Sequence, residues 1–272
     1  MIDDALVFGA EEAVRKAAAE EVMPRWRQPD THGVAEKTGP HDLVTLADRR
    51  AEAHLTRALT QLLPGSVVVG EESVHDEPGR YEALGGPDPV WIVDPVDGTR
   101  QFVRGENGFC MLLALAHHGE LLASWTYLPA RGEMAVARRR GGALLNGEAL
   151  YAGRPDGDKV LEVATSHPDF TTDAQKRALL GLHAEGVAPR PCSAAGVEYL
   201  RVAQGVLDAV AFSWESAWDH AAGLLLVAEA GGAQQTITGD PFRLAGNNAL
   251  PFTAARDAAT AGRIVDLLRA SS

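Results

Sequence analysis

Residues 91–99 read WIVDPVDGT, an apolar, strand-like run that ends in two aspartates three positions apart. The proline between the aspartates restrains the backbone, and Gly98 allows a tight turn and the close approach of a ligand to the main chain. Hard divalent cations prefer oxygen ligands, which the carboxylates of Asp94 and Asp97 and the carbonyl of Val96 can supply. These residues alone leave two interpretations open: a cation site, or a solvated turn built from Asp, Pro and Gly.

The composition is that of a folded, acidic protein. The chain has 272 residues, of which 46% are hydrophobic and 23% are charged, and this allows one large domain or two small ones with a sizeable core. Its formal net charge of −12 argues against binding a nucleic acid polymer or an anionic membrane through bulk charge. If the protein binds a small phosphorylated metabolite, a cation held by carboxylates must attract the phosphate.

Other features of the sequence predict a cytoplasmic protein. The two cysteines, Cys110 and Cys192, are too few for a disulfide framework and form no CxxC motif. The first residues, MIDD, lack the basic start and apolar run of a signal peptide. The longest apolar runs, such as 110–116, are far shorter than the roughly 20 residues that span a bilayer. We therefore expect a reducing compartment and no membrane partner.

Periodicity and turn residues predict two differently organised halves. Helices are expected at 5–23, 46–63, 173–184, 194–204, 217–230 and 258–269, and strands at 66–70, 90–93, 110–116, 121–127, 133–137, 143–145, 160–165 and 208–212. Strands of the first half follow one another in hairpins, whereas those of the second half alternate with helices, as in parallel sheets. The sequence therefore predicts an N-terminal α+β subdomain, 1–150, with an antiparallel sheet. It predicts a C-terminal α/β subdomain, 151–272, with a mixed, partly parallel sheet.

Three further acidic positions accompany the aspartate pair, and each has an ordinary structural explanation. Glu71 lies in the motif GEES after a second apolar run, where an acidic loop is a common alternative. Asp219 precedes an apolar helical segment and suits a helix N-cap. Asp48 completes the pattern Thr45-x-x-Asp, which is typical of a capping box. Taken singly, these residues leave structural and functional interpretations open.

Taken together and in order, the motifs resemble the inositol monophosphatase family of metal-dependent phosphatases. The resemblance rests on KTGPHDLVTLAD at 37–48, on GEES, on DPVDGT and on the WD at 218–219, and it extends from about Lys37 to Gly246. It implies the layered α-β-α-β-α sandwich of the sugar phosphatases and a homodimer. Lys37 lies where the family has a lysine near the site.

The resemblance also implies a magnesium centre of two or three ions per active site. By this likeness, the first ion is held by Glu71, Asp94 and the carbonyl of Val96. The second is held by Asp94, Asp97 and Asp219, and a third, weaker ion lies near Glu71. Two such ions clamp an in-line displacement at phosphorus, and their charge explains how an acidic protein attracts a phosphate.

The same resemblance implies direct attack of a metal-activated water on the phosphate, without a covalent intermediate. The implied catalytic residues are Thr99, Asp48 and Glu71, with Asp48 orienting the hydroxyl of Thr99, which positions the water. The phosphate is expected on Asp97, Gly98 and Thr99, since N–H groups at the start of a helix or turn point at an anion.

The substrate contacts that the family implies are Ser193, Ala194, Ala195, Phe212 and Asp219. Family members often have Gly-Thr/Ser-Ala at the first three positions, and inositol-specific members have an acid near the fourth. The expected substrate is a small polyol or sugar phosphate of the inositol 1-phosphate type. Histidinol phosphate, a 3′-phosphoadenosine-type nucleotide, or a non-catalytic regulator that binds metal or phosphate on the same fold remain the alternatives.

Overall fold

The computed structural model of the protein describes residues 2–28, 35–36, 43–153 and 160–270, with 35–36 and 43–44 as backbone only. Lys37, which was expected near the site, lies outside these described residues. Within the described ranges, no helix has both the length and the apolar character that crossing a bilayer requires.

The helices and strands expected from the periodicity of the sequence are present, and the structure adds others that the periodicity did not indicate. The helices are α1 (Asp4–Ala17), α2 (Leu46–Leu62), α3 (Glu71–Asp76), α4 (Thr99–Val103), α5 (Asp173–Leu179), α6 (Ala195–Ala203), α7 (Ala217–Glu229) and α8 (Ala258–Arg269). The strands are β1 (Ala35–Glu36), β2 (Leu43–Val44), β3 (Val67–Gly70), β4 (Val90–Asp97), β5 (Cys110–His117), β6 (Glu120–Leu128), β7 (Glu133–Arg138), β8 (Gly142–Leu145), β9 (Glu148–Ala149), β10 (Leu161–Thr165), β11 (Val187–Pro191), β12 (Ala209–Phe212), β13 (Ala233–Thr236) and β14 (Phe252–Ala255). A π-helical turn, Ala18–Val22, extends α1.

These elements stack as the expected α-β-α-β-α sandwich, so that prediction is confirmed. Helices α1 and α2 cover one face of the first sheet, and α6 and α7 fill the space between the two sheets. Helices α5 and α8 cover the outer face of the second sheet. Buried apolar side chains close each interface, for example Leu55 under the first sheet, Leu225 between the sheets and Ile264 under the second sheet.

The first sheet has the strand order β3-β4-β5-β6-β7-β8-β9. It is mixed rather than wholly antiparallel, because β3 pairs parallel with β4 whereas the other neighbours are antiparallel. The chain between β3 and β4 crosses over through α3 and a 3₁₀ segment, Pro78–Gly85, instead of a hairpin. As a result, the carboxyl ends of β3 and β4, where acidic motifs begin, lie at the same edge of the sheet.

The second sheet has the order β11-β10-β12-β14-β13. Strand β10 is parallel to β11 and β12, and β14 is antiparallel to β12 and β13, which confirms the mixed sheet that the sequence predicts. The two sheets lie on either side of residue 150. One apolar cluster nevertheless joins residues of both sheets, so we retain the division into 1–150 and 151–272 as a proposal.

Candidate active site

The aspartate pair lies at the end of β4, a strand that is buried along its whole length. The pairing of β4 with β5 shifts register between Asp94 and Asp97. Pro95 stands in this interval and has no N–H to donate to a neighbouring strand, as is usual where a ladder is interrupted. The carboxylate of Asp94 accepts a hydrogen bond from the N–H of Val96 (3.0 Å), which holds the bend closed.

Gly98 turns the chain from β4 into α4. Its φ of 85° is in the left-handed region, and a Cβ at this position would lie 2.9 Å from the Cβ of Ala194. The hydroxyl of Thr99, the first residue of α4, donates to the carbonyl oxygen of Val96 (3.0 Å). Because a carbonyl oxygen has two lone pairs, this oxygen keeps one for a cation.

Glu71 begins α3 directly after β3, at the edge where β4 also ends. The start of α3 is held by Glu52 of α2. The Glu52 carboxylate accepts hydrogen bonds from the N–H groups of Glu72 (2.7 Å) and Ser73 (2.8 Å). A Cβ at Gly70 would overlap that carboxylate, so the glycine of the GEES motif is what allows the contact.

Asp219 reaches the aspartate pair from the second half of the chain. It lies in the first turn of α7, and its Oδ2 accepts a hydrogen bond from the indole N–H of Trp214 (3.0 Å). Asp94, Asp97 and Asp219 each place one oxygen within 4.8 Å of the oxygens of the other two. Three carboxylates at this spacing are hard oxygen donors that suit a divalent cation. Glu71 lines the same cavity but is outside this group of three.

Burial and the charges of neighbouring acids raise the pKa values of Asp94 and Asp97. Desolvation raises the pKa of Asp94 well above its ordinary value, and the charges of Glu71, Asp97 and Asp219 raise it further. Desolvation also raises the pKa of Asp97 to about 6, although the hydrogen bond from the N–H of Gly196 opposes this rise. A cation among the carboxylates would favour their charged forms. The donor set therefore fits a divalent cation.

Asp48 lies near this cluster but forms no hydrogen bond with Thr99 in the described part of the chain. Its Oδ2 accepts hydrogen bonds from the N–H (2.8 Å) and hydroxyl (2.5 Å) of Thr45, which completes the predicted capping box of α2. The expected contact is therefore not made in this arrangement, because the capping box engages the carboxylate and Thr99 donates to a main-chain carbonyl. Oδ1 of Asp48 is buried and accepts no hydrogen bond from the residues that the structure describes. Desolvation raises the pKa of this carboxyl to about 7.

The predicted substrate loop, residues 193–195, reaches the same cavity from the second half of the chain. The carboxylate of Asp97 accepts hydrogen bonds from the N–H groups of Ala195 (3.2 Å) and Gly196 (2.6 Å) at the start of α6. A Cβ at Gly196 would lie 2.8 Å from Sγ of Cys110, so the helix can approach this closely only with glycine there. Asp97 thus connects the end of β4 to α6, the helix that follows the loop, through hydrogen bonds.

A cavity of about 380 Å³ unites most of the predicted residues. Those that line it are Glu71, Asp94, Val96, Asp97, Gly98, Thr99, Ser193, Ala194, Ala195 and Asp219. Phe212 is not part of the lining that the structure describes. Its side chain is fully buried and packs on Tyr199 and Trp214, so we remove it from the expected substrate contacts. Nearby Glu215 accepts hydrogen bonds from Asn248 and does not line the described cavity either.

The rest of the lining is rich in aromatic, basic and small polar side chains that the acidic motifs did not indicate. Its members are Arg100, Gln101, His167, Phe170, Cys192, Trp214, Ser216 and Trp218. Arg100 forms an ion pair with Asp169 (3.0 Å), which joins α4 to the segment that follows β10. No sequence signal pointed to His167, Phe170 or Glu52 as part of the site. Glu52 could have been found from its position four residues after Asp48, on the same helix face.

Comparison with known proteins agrees with this architecture. The chain matches the model of the inositol monophosphatase family over residues 3–270. It is 35% identical over 202 residues to the inositol-1-monophosphatase of Rhizobium meliloti (strain 1021), a match that covers 71% of this chain and 72% of that protein. It is 34% identical over 236 residues to the Nus factor SuhB of Pseudomonas aeruginosa, which covers 82% of this chain and 83% of that protein.

A solved structure shows the same fold over almost the full length. The extragenic suppressor protein suhB from Bartonella henselae superposes with a TM-score of 0.83 at 25% identity, covering 98% of this chain and 99% of that chain. The relatives named as inositol monophosphatases come from bacteria, Dictyostelium discoideum and mammals. They support the prediction of a metal-dependent phosphate monoester hydrolase. The chain belongs to the inositol monophosphatase family.

Proposed function

We propose that this protein is a Mg²⁺-dependent phosphate monoester hydrolase that acts on a small phosphorylated metabolite. The observation that carries the proposal is the convergence of Asp94, Asp97 and Asp219, whose oxygens lie within 4.8 Å of one another although Asp219 is distant in sequence. Asp94 and Asp97 are buried and Asp219 is half-buried, and carboxylates at this spacing are unfavourable unless a cation compensates their charge. Mg²⁺ suits the role because it binds carboxylates and couples to substrate phosphate oxygens.

The ions would be held by Glu71, Asp94, Asp97, Asp219 and the carbonyl of Val96, and we keep the expectation of two or three ions per site. When bound, Mg²⁺ supplies the charge that activates water and stabilises the leaving oxygen. Asp94 belongs to both ligand sets and receives repulsion from all the other acids of the site. Removal of its charge should therefore disturb the whole centre.

The phosphate is proposed to bind the N–H groups of Gly98 and Thr99, beside Asp97. The hydroxyl of Thr99 would position the attacking water, and Glu71, which lines the same cavity, would help to hold that water. Asp48 stays a proposal as the partner of Thr99. Its Oδ1, which accepts no hydrogen bond from the described residues, is the atom available for that contact.

For the substrate, the family relationship favours a polyol or sugar phosphate of the inositol 1-phosphate type. Relatives carry the names inositol-1-monophosphatase and, in Thermotoga maritima, fructose-1,6-bisphosphatase/inositol-1-monophosphatase at 29% identity. Histidinol phosphate and a 3′-phosphoadenosine-type nucleotide stay the alternative substrates, because the acidic centre acts on the phosphate and not on the alcohol.

The proposal is tested by measuring phosphate release from a panel of monoesters with Mg²⁺ and with a chelator. We expect release only with Mg²⁺, and a loss of at least about a thousandfold in Asp94→Asn, because a catalytic metal contributes several kcal/mol. Asp266→Asn is the matched control, since that acid is 79% exposed on α8. Unchanged turnover in Asp94→Asn, with a wild-type circular dichroism spectrum, would contradict the metal centre.

A non-catalytic regulator on the same fold is the second candidate, because one relative is named a Nus factor. Such a protein would bind Mg²⁺ or phosphate in calorimetry and release phosphate from no ester of the panel. The homodimer and the cytoplasmic location also stay predictions. The molar mass in solution, measured by light scattering, tests the first, and fractionation of cells tests the second.

A further inference from the structure

The residues that line the cavity outside the acidic cluster indicate what kind of alcohol the substrate contains. This inference rests on the proposed function. The aromatic side chains of this lining are Phe170, Trp214 and Trp218, and its nitrogen-bearing side chains include Arg100 and His167. Among the described lining residues, every acid belongs to the proposed metal centre. Apart from Asp219, which is also an expected substrate contact, the described lining therefore offers the alcohol part of the ester no carboxylate, the strongest kind of acceptor for the hydroxyls of a polyol.

The guanidinium of Arg100 lies over the ring of Phe170. The guanidinium carbon lies 5.0 Å from the centroid of the Phe170 ring, within the range of a cation–π contact. Its Nη2 pairs with Oδ2 of Asp169 at 3.0 Å, and the side chain is only 17% exposed. Because Asp169 compensates the charge, Arg100 presents a planar group rather than a free cation.

Trp214 is held next to the acids. Its Nε1 donates to Oδ2 of Asp219 (3.0 Å), and its ring lies 4.4 Å from that of the buried Phe212. The neighbouring Trp218 packs edge-on against Tyr81, with 5.9 Å between the ring centroids. Aromatic side chains that are already held in place lose little further freedom on binding, and they contact planar rings favourably.

We propose that the alcohol part of the substrate carries a planar aromatic or heteroaromatic ring that binds against Phe170 and Trp214. Phe170 is the specificity-determining residue, and Arg100 is the positioning residue that holds its ring. Phe170 lines the cavity and is 55% exposed, so a ring bound against it would cover apolar surface that water now contacts. A polyol has no planar ring to place on this surface, and here the inference departs from the inositol-type substrate that the family relationship favours.

The test compares two esters that share a linker and differ only in the ring, 2-phenylethyl phosphate and 2-cyclohexylethyl phosphate, with inositol 1-phosphate as the polyol. With Mg²⁺ and the full chain, we expect kcat/KM for the aromatic ester to exceed that of the saturated ester by about tenfold. Phe170→Leu should bring this ratio close to one without changing the half-saturating Mg²⁺ concentration. Phe8→Leu, at a phenylalanine that is 65% exposed on α1, is the matched control and should keep the ratio.

Arg100→Lys provides a second variant, because it keeps a positive charge for Asp169 but removes the planar group. We expect the aromatic preference to fall in this variant as well. A preference for inositol 1-phosphate over both ring esters, or an unchanged ratio in Phe170→Leu, would overturn the inference and leave the proposed function standing. Absence of phosphate release from every ester would refute the proposed function and the inference together.

Discussion

At the scale of single residues, the site depends on positions that few residue types can occupy. At such a position the backbone conformation disfavours most side chains, and a neighbouring side chain leaves no space for them. Gly98 combines a left-handed φ with the close approach of Ala194, a residue of the opposite half of the chain. Asp97, one residue earlier, binds the N–H groups of Ala195 and Gly196. Gly98 and Asp97 therefore form the local turn and also make the contact between β4 and the substrate loop.

Gly98→Ala separates these two roles when it is compared with Gly65→Ala. The two glycines have nearly the same φ, 85° and 84°, but nothing lies within 4 Å of a Cβ at Gly65. Gly65→Ala should show only the cost of the left-handed conformation, about 1–2 kcal/mol. Gly98→Ala should lose more stability in urea denaturation and at least about tenfold in phosphate release, because Ala194 must move. Equal stability and activity of the two variants would show that the contact with Ala194 is unimportant.

At the scale of elements, two arrangements bring the acids of the first half together. The parallel pairing of β3 with β4 places the start of α3 and the aspartate pair at one edge of the sheet. Helix α2 lies against this edge and presents Asp48 and Glu52, four residues apart, on its buried face. Glu52 then caps α3 through two N–H groups, so α2 determines where the helix that begins with Glu71 can lie.

Glu52→Gln should weaken Mg²⁺ binding, although residue 52 is not one of the proposed ligands of the ion. The amide keeps one acceptor but places an NH₂ group against an N–H of α3, so Glu71 is no longer held firmly. Residues that support metal ligands typically change metal affinity by about 10–100-fold, and we expect a loss of this size in titration calorimetry. Asp257→Asn is the matched control, because that carboxylate caps α8 through the N–H of Thr260 (2.7 Å), away from the site. Mg²⁺ affinity that falls equally in both variants would attribute the effect to general destabilisation.

At the scale of the whole molecule, the acidic cluster opposes the stability of the metal-free protein. The desolvated carboxyls of Asp97 and Asp48 have pKa values raised to about 6 and about 7, above an ordinary value of 3.8. A carboxyl with a higher pKa in the folded than in the unfolded chain binds more protons when folded between those values. The contribution of these two carboxyls to the free energy of unfolding is therefore most favourable at low pH. This contribution is lost as the pH rises from about 4 to 7.

Mg²⁺ should compensate this loss, since it replaces the protons among the carboxylates. We expect the rise in Tm on adding Mg²⁺ to be small at about pH 5 and several degrees larger at about pH 8. The same measurement on Asp97→Asn should give a smaller rise at both pH values, because one ligand and one raised pKa are removed. A Tm rise that shrinks as the pH increases would contradict the assignment of these acids to a metal centre.

The sequence by itself determined the local elements and the acidic motifs. Helix α8 was expected at 258–269 and is observed at Ala258–Arg269, because apolar spacing alone identifies an amphipathic helix. The hairpin of β5 and β6 was expected for the same kind of reason. Strand β11 was missed, since its two prolines lack N–H donors and are typical of loops. The strand is tolerated because, among the described strands, it lies at the edge of its sheet and pairs with β10 alone.

Only the tertiary structure decided which groups share the site. The parallel pairing of β3 with β4, the burial of Phe212 and the contact of Arg100 with Phe170 depend on how the two sheets pack against α6 and α7. The same packing brings Asp219 to the aspartate pair. Sequence spacing reports neighbours along one helix or strand, whereas contacts between layers depend on the shapes and volumes of side chains from distant segments. The motifs therefore indicated the reaction, and the packing determined the surroundings of the substrate.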